Sequence, residues 1–68
     1  MTGFIGAGNM ANAIIKGMVS SGAAEGKDIA AYDIHPEKRE KAAADYGVNA
    51  VSSLEELVSG CSEIVVAI

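Results

Sequence analysis

Gly3-Phe4-Ile5-Gly6-Ala7-Gly8-Asn9-Met10-Ala11-Asn12-Ala13-Ile14-Ile15 is the stretch whose reading decides the fold. Residues 2–5 form a short apolar run of β character. It breaks at Gly6 into a turn, and the turn opens directly into a helix. Gly6, Gly8 and Ala11 stand in the G-x-G-x-x-G/A frame of a dinucleotide-binding βαβ unit. Gly6 has no Cβ and so lets the chain turn sharply off the strand. Gly8 leaves room for a pyrophosphate to approach the backbone. Ala11 is small enough for the helix to lie close against the strand it leaves. The phosphates would sit on the free N–H groups of the helix start, where the dipole also favours negative charge.

Glycines also make ordinary turns, so the frame needs context, and the flanking residues supply it. Ala11, Ile14, Ile15 and Met18 fall at i, i+3, i+4 and i+7 and predict one apolar helix face. Ser20-Ser21-Gly22 ends that helix, with Gly22 at C′. Ile29-Ala30-Ala31-Tyr32-Asp33 reads as a second strand ending in an acid 22 positions after Ala11. The carboxylate that takes the ribose hydroxyls is expected about 20 residues on. Strand, turn, helix and acid agree, against the plainer reading of a glycine turn beside a solvated Asp.

Farther along, Pro36 and Glu37 suit the first turn of a second helix. Arg39, Ala42, Ala43 and Tyr46 share one of its faces, and Gly47 stops it. Val48–Val51 reads as a third strand. Ser53-Leu54-Glu55-Glu56 is a capping box, with Ser53 at the N-cap and Glu56 at N3. Leu54, Leu57, Val58 and Cys61 form the apolar stripe of that third helix, which Gly60 helps to end. Ile64-Val65-Val66-Ala67-Ile68 is apolar without alternation, as in a central parallel strand covered on both faces. The pattern is βαβαβαβ. Right-handed crossovers with a switch after the third strand give a Rossmann-type parallel α/β sheet of order 3-2-1-4. The ligand crevice is then expected outside the carboxyl ends of strands 1 and 4.

The chain has 68 residues, whereas a complete doubly wound domain usually has about 100–150 or more. Residues 1–68 are therefore expected to be the N-terminal part of an incomplete doubly wound, dinucleotide-binding domain of a larger protein. An apolar fourth strand left as a bare edge would invite aggregation. Aromatic residues make up only 4% of the chain, so Ala, Val, Ile, Leu and Met must build the core. A net charge of −4 argues against a nucleic-acid partner. The five Lys and Arg are scattered, which argues against an anionic membrane surface. No apolar run approaches the roughly 20 residues of a membrane span, and there is no signal-peptide pattern. A single cysteine, Cys61, fits a reducing cytoplasm. No metal site is expected.

The run Gly6-Ala7-Gly8-Asn9-Met10-Ala11, followed by Ala13-Ile14-Ile15-x-Gly17-Met18, resembles the opening of the pyrroline-5-carboxylate reductase family. Tyr32-Asp33-Ile34-His35-Pro36-Glu37-Lys38 is similar to that family's second strand and helix start. Val65-Val66-Ala67-Ile68 is similar to its fourth strand, which normally continues into a Lys-Pro pair that this chain lacks. The resemblance covers essentially all 68 residues, but only the cofactor half of such an enzyme. It implies reduction of the cyclic imine 1-pyrroline-5-carboxylate to proline with hydride from NAD(P)H. It also implies a C-terminal helical substrate and dimerisation domain that is absent here, and a homo-oligomeric parent. Gly6, Ala7, Gly8, Asn9, Met10 and Ala11 would hold the pyrophosphate. Asp33, Ile34 and His35 would flank the adenosine ribose, and Ala67 and Ile68 would lie near the ribose or nicotinamide. No catalytic residue carries over, and the 68 residues alone are expected to be inactive.

Hydroxyisobutyrate and 6-phosphogluconate dehydrogenases begin similarly but typically place Gly where this chain has Ala11. F420-dependent oxidoreductases also begin alike, and a nucleotide-binding module without activity is a further alternative. For the cofactor, Asp33 accepts ribose hydroxyls and repels a 2′-phosphate, and Ile34 offers no donor, which favours NADH slightly. His35, Lys38 and Arg39 stand on the side of NADPH. The plainer readings make Cys61 a small buried hydrophobe, His35 a solvated loop residue and Tyr46 a packing residue. Met10 suits the cofactor's surroundings or the core equally. Glu37 and Lys41 form an i,i+4 pair on a solvated face.

Overall fold

The computed structural model describes residues 1–67. Strands β1 (Thr2–Ile5), β2 (Ile29–Tyr32), β3 (Asn49–Ala50) and β4 (Glu63–Val66) alternate with helices α1 (Asn9–Ser20), α2 (Pro36–Tyr46) and α3 (Leu54–Gly60). The sheet is four-stranded with order β3-β2-β1-β4, and all its pairings are parallel. This is the expected βαβαβαβ, Rossmann-type arrangement. Among the described residues no helix is long and apolar enough to cross a membrane.

Alternation along β1 divides the layers. Phe4 joins Ala11 and Ile15 of α1 and Ala42 of α2 in one buried cluster, so α1 and α2 cover one face. Gly3, its neighbour on the strand, faces Leu57 and Cys61, so α3 covers the other. A Cβ on Gly3 would come 2.8 Å from the Cys61 sulfur and 3.0 Å from Leu57 Cδ1. Cys61 is thus a half-buried packing group over β1.

The helix ends follow their local signals. Gly22 and Gly47 have φ of 78° and 70°, left-handed values that glycine adopts freely. Pro36 opens α2 at its first turn, with His35 at the N-cap. Ser53 caps α3 by accepting the Glu56 N–H at 3.1 Å. Only half of the capping box closes, because the Glu56 carboxylate accepts instead from the Ser52 hydroxyl at 3.4 Å.

Several expectations need correction. Ile14, Leu54 and Val58 were expected on buried helix faces but are 39%, 45% and 59% exposed. On α1 the buried line runs through Ala11 and Ile15, with Met18 and Val19 packed beside it, which leaves Ile14 at the rim. On α3 only Leu57 is fully buried, because seven residues form a rod of about 10 Å that crosses β1 and β2. None of the described helices covers the outer part of the sheet on that side. Hence Ile64 and Val66 of β4 are exposed there, while Val65 and Ala67 pack into the α1 side. Strand β3 is only Asn49–Ala50. Val48 turns into the core, and the Val51 N–H reaches the Ala31 carbonyl at 3.0 Å. Lys41 pairs with Asp45 at 2.8 Å rather than with Glu37, whose carboxylate lies 3.9 Å from His35 Nδ1.

The polar stretch between α1 and β2 holds a constraint that its composition hides. Gly26 begins a 3-10 turn, Gly26–Asp28, pressed against the end of α2. A Cβ there would collide with the Tyr46 carbonyl oxygen and lie 2.9 Å from the Gly47 carbonyl. Backbone on both sides leaves no rotamer that relieves the clash. Gly26→Ala is expected to destabilise the protein by about 1–3 kcal/mol, the usual cost of overpacking. Urea unfolding of the variant measures it, and an unchanged midpoint would contradict the packing described.

Candidate dinucleotide-binding site

The site is built where β1 and β2 end, beside the starts of α1, α2 and α3. No described residue of β4 lines it, so the hollows lie outside strands 1 and 2 rather than outside strands 1 and 4 as expected. Gly6 has a φ of 106°, which requires glycine, and its N–H donates to the Tyr32 carbonyl at 2.7 Å. The chain thus stays tied to β2 while it turns into α1. Ala7 is buried at the bend, and Gly8 forms the N-cap in extended conformation without a side-chain cap. The first helical bond runs from the Asn12 N–H to the Gly8 carbonyl at 2.9 Å. The N–H groups of Asn9, Met10 and Ala11 precede that bond and lie at the positive end of the helix. The first turn carries no acidic residue to neutralise them. Ala11 is fully buried against the sheet, as close helix–strand packing requires.

Asp33 lies one residue beyond β2. Its Oδ2 accepts the Ala7 N–H at 2.9 Å, and its Oδ1 accepts the His35 N–H at 2.9 Å. Partial burial pushes the Asp33 carboxyl upward. The two backbone donors at Ala7 and His35, with the charges of Lys38 and His35, outweigh this and hold it below the ordinary value. Arg39 Nη1 donates to the Asp33 carbonyl at 2.7 Å and its guanidinium lies 5.9 Å from the Tyr32 ring centre. Arg39 is therefore a packing and bracing group at the start of α2.

Two hollows open on this rim. The first, of about 420 Å³, is walled by Gly6, Asp33, Ile34 and His35, with Ile5, Tyr32, Lys38 and Leu54. The second, of about 280 Å³, lies between the glycine loop and α2. Ala7, Gly8 and Asn9 line it from one side, with Asn12, Lys38 and Lys41. Lys38 borders both. Asn12 donates weakly to the Ala7 carbonyl at 3.4 Å, and its buried Oδ1 has no partner among the described residues. The Lys41 ammonium, hydrogen-bonded to Asp45, is held above its usual value.

Most of the expected site residues meet here, with four differences, one of them Ala11, which is buried beneath the loop and lines neither hollow. Met10 is 62% exposed beside the loop, which removes the core-filling alternative, but it lines neither hollow. Ala67 closes β4 against β1 through its N–H to the Ile5 carbonyl at 2.9 Å, and it also lines neither. Ile68 lies outside the described residues. His35 is exposed and Tyr46 packs on the core, as their plainer readings had it. Ile5, Tyr32, Leu54, Asn12 and Lys41 also line the hollows, although the motif pattern gives them no site role. In a parallel sheet each helix starts at the carboxyl edge of the strands, a signal that places Leu54 there. Lys41 follows Lys38 by one helical turn, and Asn12 is the polar residue between Ala11 and Ala13.

These residues fit a dinucleotide. Among the described residues, a Cβ built on Gly8 meets nothing within 4 Å, which leaves room for a bulky anion in front of the loop. The N–H groups of the α1 start, which have no intrahelical partner, two lysines and a carboxylate at the strand end supply phosphate and ribose partners. A bound nicotinamide dinucleotide supplies hydride, and the loop and Asp33 would orient it. No curated protein matches the sequence. The sequence model of the family described as "NADP oxidoreductase coenzyme F420-dependent" matches residues 1–68, the whole of the chain. The chain belongs to this oxidoreductase family, which includes the pyrroline-5-carboxylate reductases, and it carries the family's dinucleotide-binding part.

Proposed function

We propose that these residues are the NAD(P)H-holding part of a reductase that converts 1-pyrroline-5-carboxylate to proline. The observation that carries the cofactor half is the glycine loop presenting free α1 N–H groups beside Asp33 and Lys38. The substrate half rests on the run Gly6–Met18 and its likeness to that family. In this reading Gly6–Ala11 take the pyrophosphate, Asp33, Ile34 and His35 flank the ribose, and Ala67 and Ile68 lie toward the nicotinamide. A helical domain elsewhere in the protein supplies the imino-acid pocket and the oligomer contacts. A second reading, hydride exchange between NADP and the deazaflavin F420, is favoured by the description of the matching family. Assaying the whole protein with pyrroline-5-carboxylate and NADPH, and separately with reduced F420 and NADP, separates the two. Turnover of the second pair alone would overturn the proline reading.

For the cofactor we favour NADPH. The slight case for NADH rests on the Asp33 carboxylate, but each of its oxygens already accepts a backbone N–H, so a ribose hydroxyl would share an acceptor that is already in use. Lys38, bordering both hollows and close enough to lower the Asp33 carboxyl, offers an ammonium to a 2′-phosphate. A charge pair near a surface is worth roughly 1–4 kcal/mol. Lys38→Ala is therefore expected to weaken NADPH roughly tenfold and NADH little, as read by calorimetry. Equal losses for both cofactors would refute this role of Lys38.

A further inference from the structure

The Ala7 N–H sits at the bend of the glycine loop in a residue only 2% exposed. A buried backbone donor needs an acceptor. The acceptor is Asp33 Oδ2, across 26 positions of sequence, while Oδ1 of the same carboxylate takes the His35 N–H. We propose that Asp33 is a positioning residue whose carboxylate fastens the glycine loop to the start of α2. It thereby sets the α1 N–H groups in place before any dinucleotide arrives.

The chemistry of the pair explains why a carboxylate stands there. Two N–H donors arrive on two different oxygens, so both side-chain atoms must accept. Only an ionised Asp of this length offers that. Asparagine satisfies one donor and turns its own NH₂ against the other, and serine has a single oxygen. The joint is stiffened on both sides. Arg39 grips the Asp33 carbonyl from α2, and the Gly6 N–H grips the Tyr32 carbonyl beside it. The charged groups around the carboxylate are Lys38 and His35, with Arg39 on its main chain. All are basic and favour the ionised form. Each oxygen retains a lone pair, so the fastening is compatible with a ribose hydroxyl arriving later.

The inference deepens the cofactor reading but is tested without cofactor. In the cofactor-free protein, NMR hydrogen exchange should show the Ala7 and His35 amides protected. In Asp33→Asn at least one of them should exchange roughly tenfold or more faster, the loss of a hydrogen bond to a charged acceptor. The Phe4 and Ala31 amides serve as the control for global unfolding. If the variant does not fold, acid titration of the unaltered protein decides. The Ala7 amide shift should move with a midpoint below the ordinary carboxylate range, and the Ala31 amide should not follow. With dinucleotides, Asp33→Asn should weaken NADH and NADPH by similar factors, since the shared phosphate cradle is disturbed. Unchanged Ala7 and His35 protection with a loss confined to NADH would overturn the proposal and leave Asp33 as a ribose reader. So would an Ala7 amide that ignores the titration. Failure of the unaltered protein to bind any dinucleotide would instead overturn the cofactor reading and leave the fastening intact.

Discussion

Gly8→Val should abolish dinucleotide binding while the fold stands. Gly8 has φ −85° and ψ −159°, a negative-φ conformation at the edge of the extended region that does not require glycine. None of the described residues lies within 4 Å of a Cβ built there, so they present no clash to absorb. The folding cost is the poorer N-cap, on the order of 1 kcal/mol. The same open space is where a pyrophosphate must approach the loop, and two branched methyl groups would occupy it. Losing the phosphate contacts to the helix start should weaken binding by roughly a hundredfold or more, about 3 kcal/mol. Calorimetry with NADPH and NADH reads the affinity, and a thermal melt of the same sample reads the fold. Unchanged affinity would remove the glycine loop from the binding site. A collapsed melt would show that Gly8 serves the fold instead.

Phe4→Ala is expected to have the largest effect on stability. Phe4 is fully buried at the centre of β1, between Ala31 of β2 and Val65 of β4, in the cluster that holds Ala11 and Ile15 of α1. Much of that cluster is alanine, so Phe4, Ile15 and Ile29 supply most of its volume. Truncating a buried phenylalanine costs about 3–5 kcal/mol, because the cavity closes only in part. At roughly 0.05–0.15 kcal/mol per residue, a chain of this size has only about 3–10 kcal/mol in total. The variant should be largely unfolded or shifted to a much lower urea midpoint by circular dichroism. Ile15→Val, at about 0.5–1.5 kcal/mol, is the graded companion. A loss below that of Ile15→Val would mean that the core is not organised around Phe4.

What the sequence determined by itself is whatever depends on neighbours a few positions apart. The break from β1 into α1 at Gly6, the stops at Gly22 and Gly47, Pro36 at the start of α2 and the Ser53 cap all follow from local backbone chemistry. The strand order followed too, because alternating elements and right-handed crossovers leave few topologies. The fingerprint residues and Asp33 were legible for the same reason, being spaced by one βαβ unit. Tertiary structure decided how much of each apolar face is covered. Periodicity marks a stripe but not its edges, so Ile14, Leu54, Val58 and Val66 lie in the open although their spacing or composition is that of core residues. It also decided contacts between segments distant in sequence: Gly26 against the Tyr46 carbonyl, and the Asp33 carboxylate on the Ala7 N–H. No local pattern encodes these, since each needs two backbones brought together by the packing of the whole sheet.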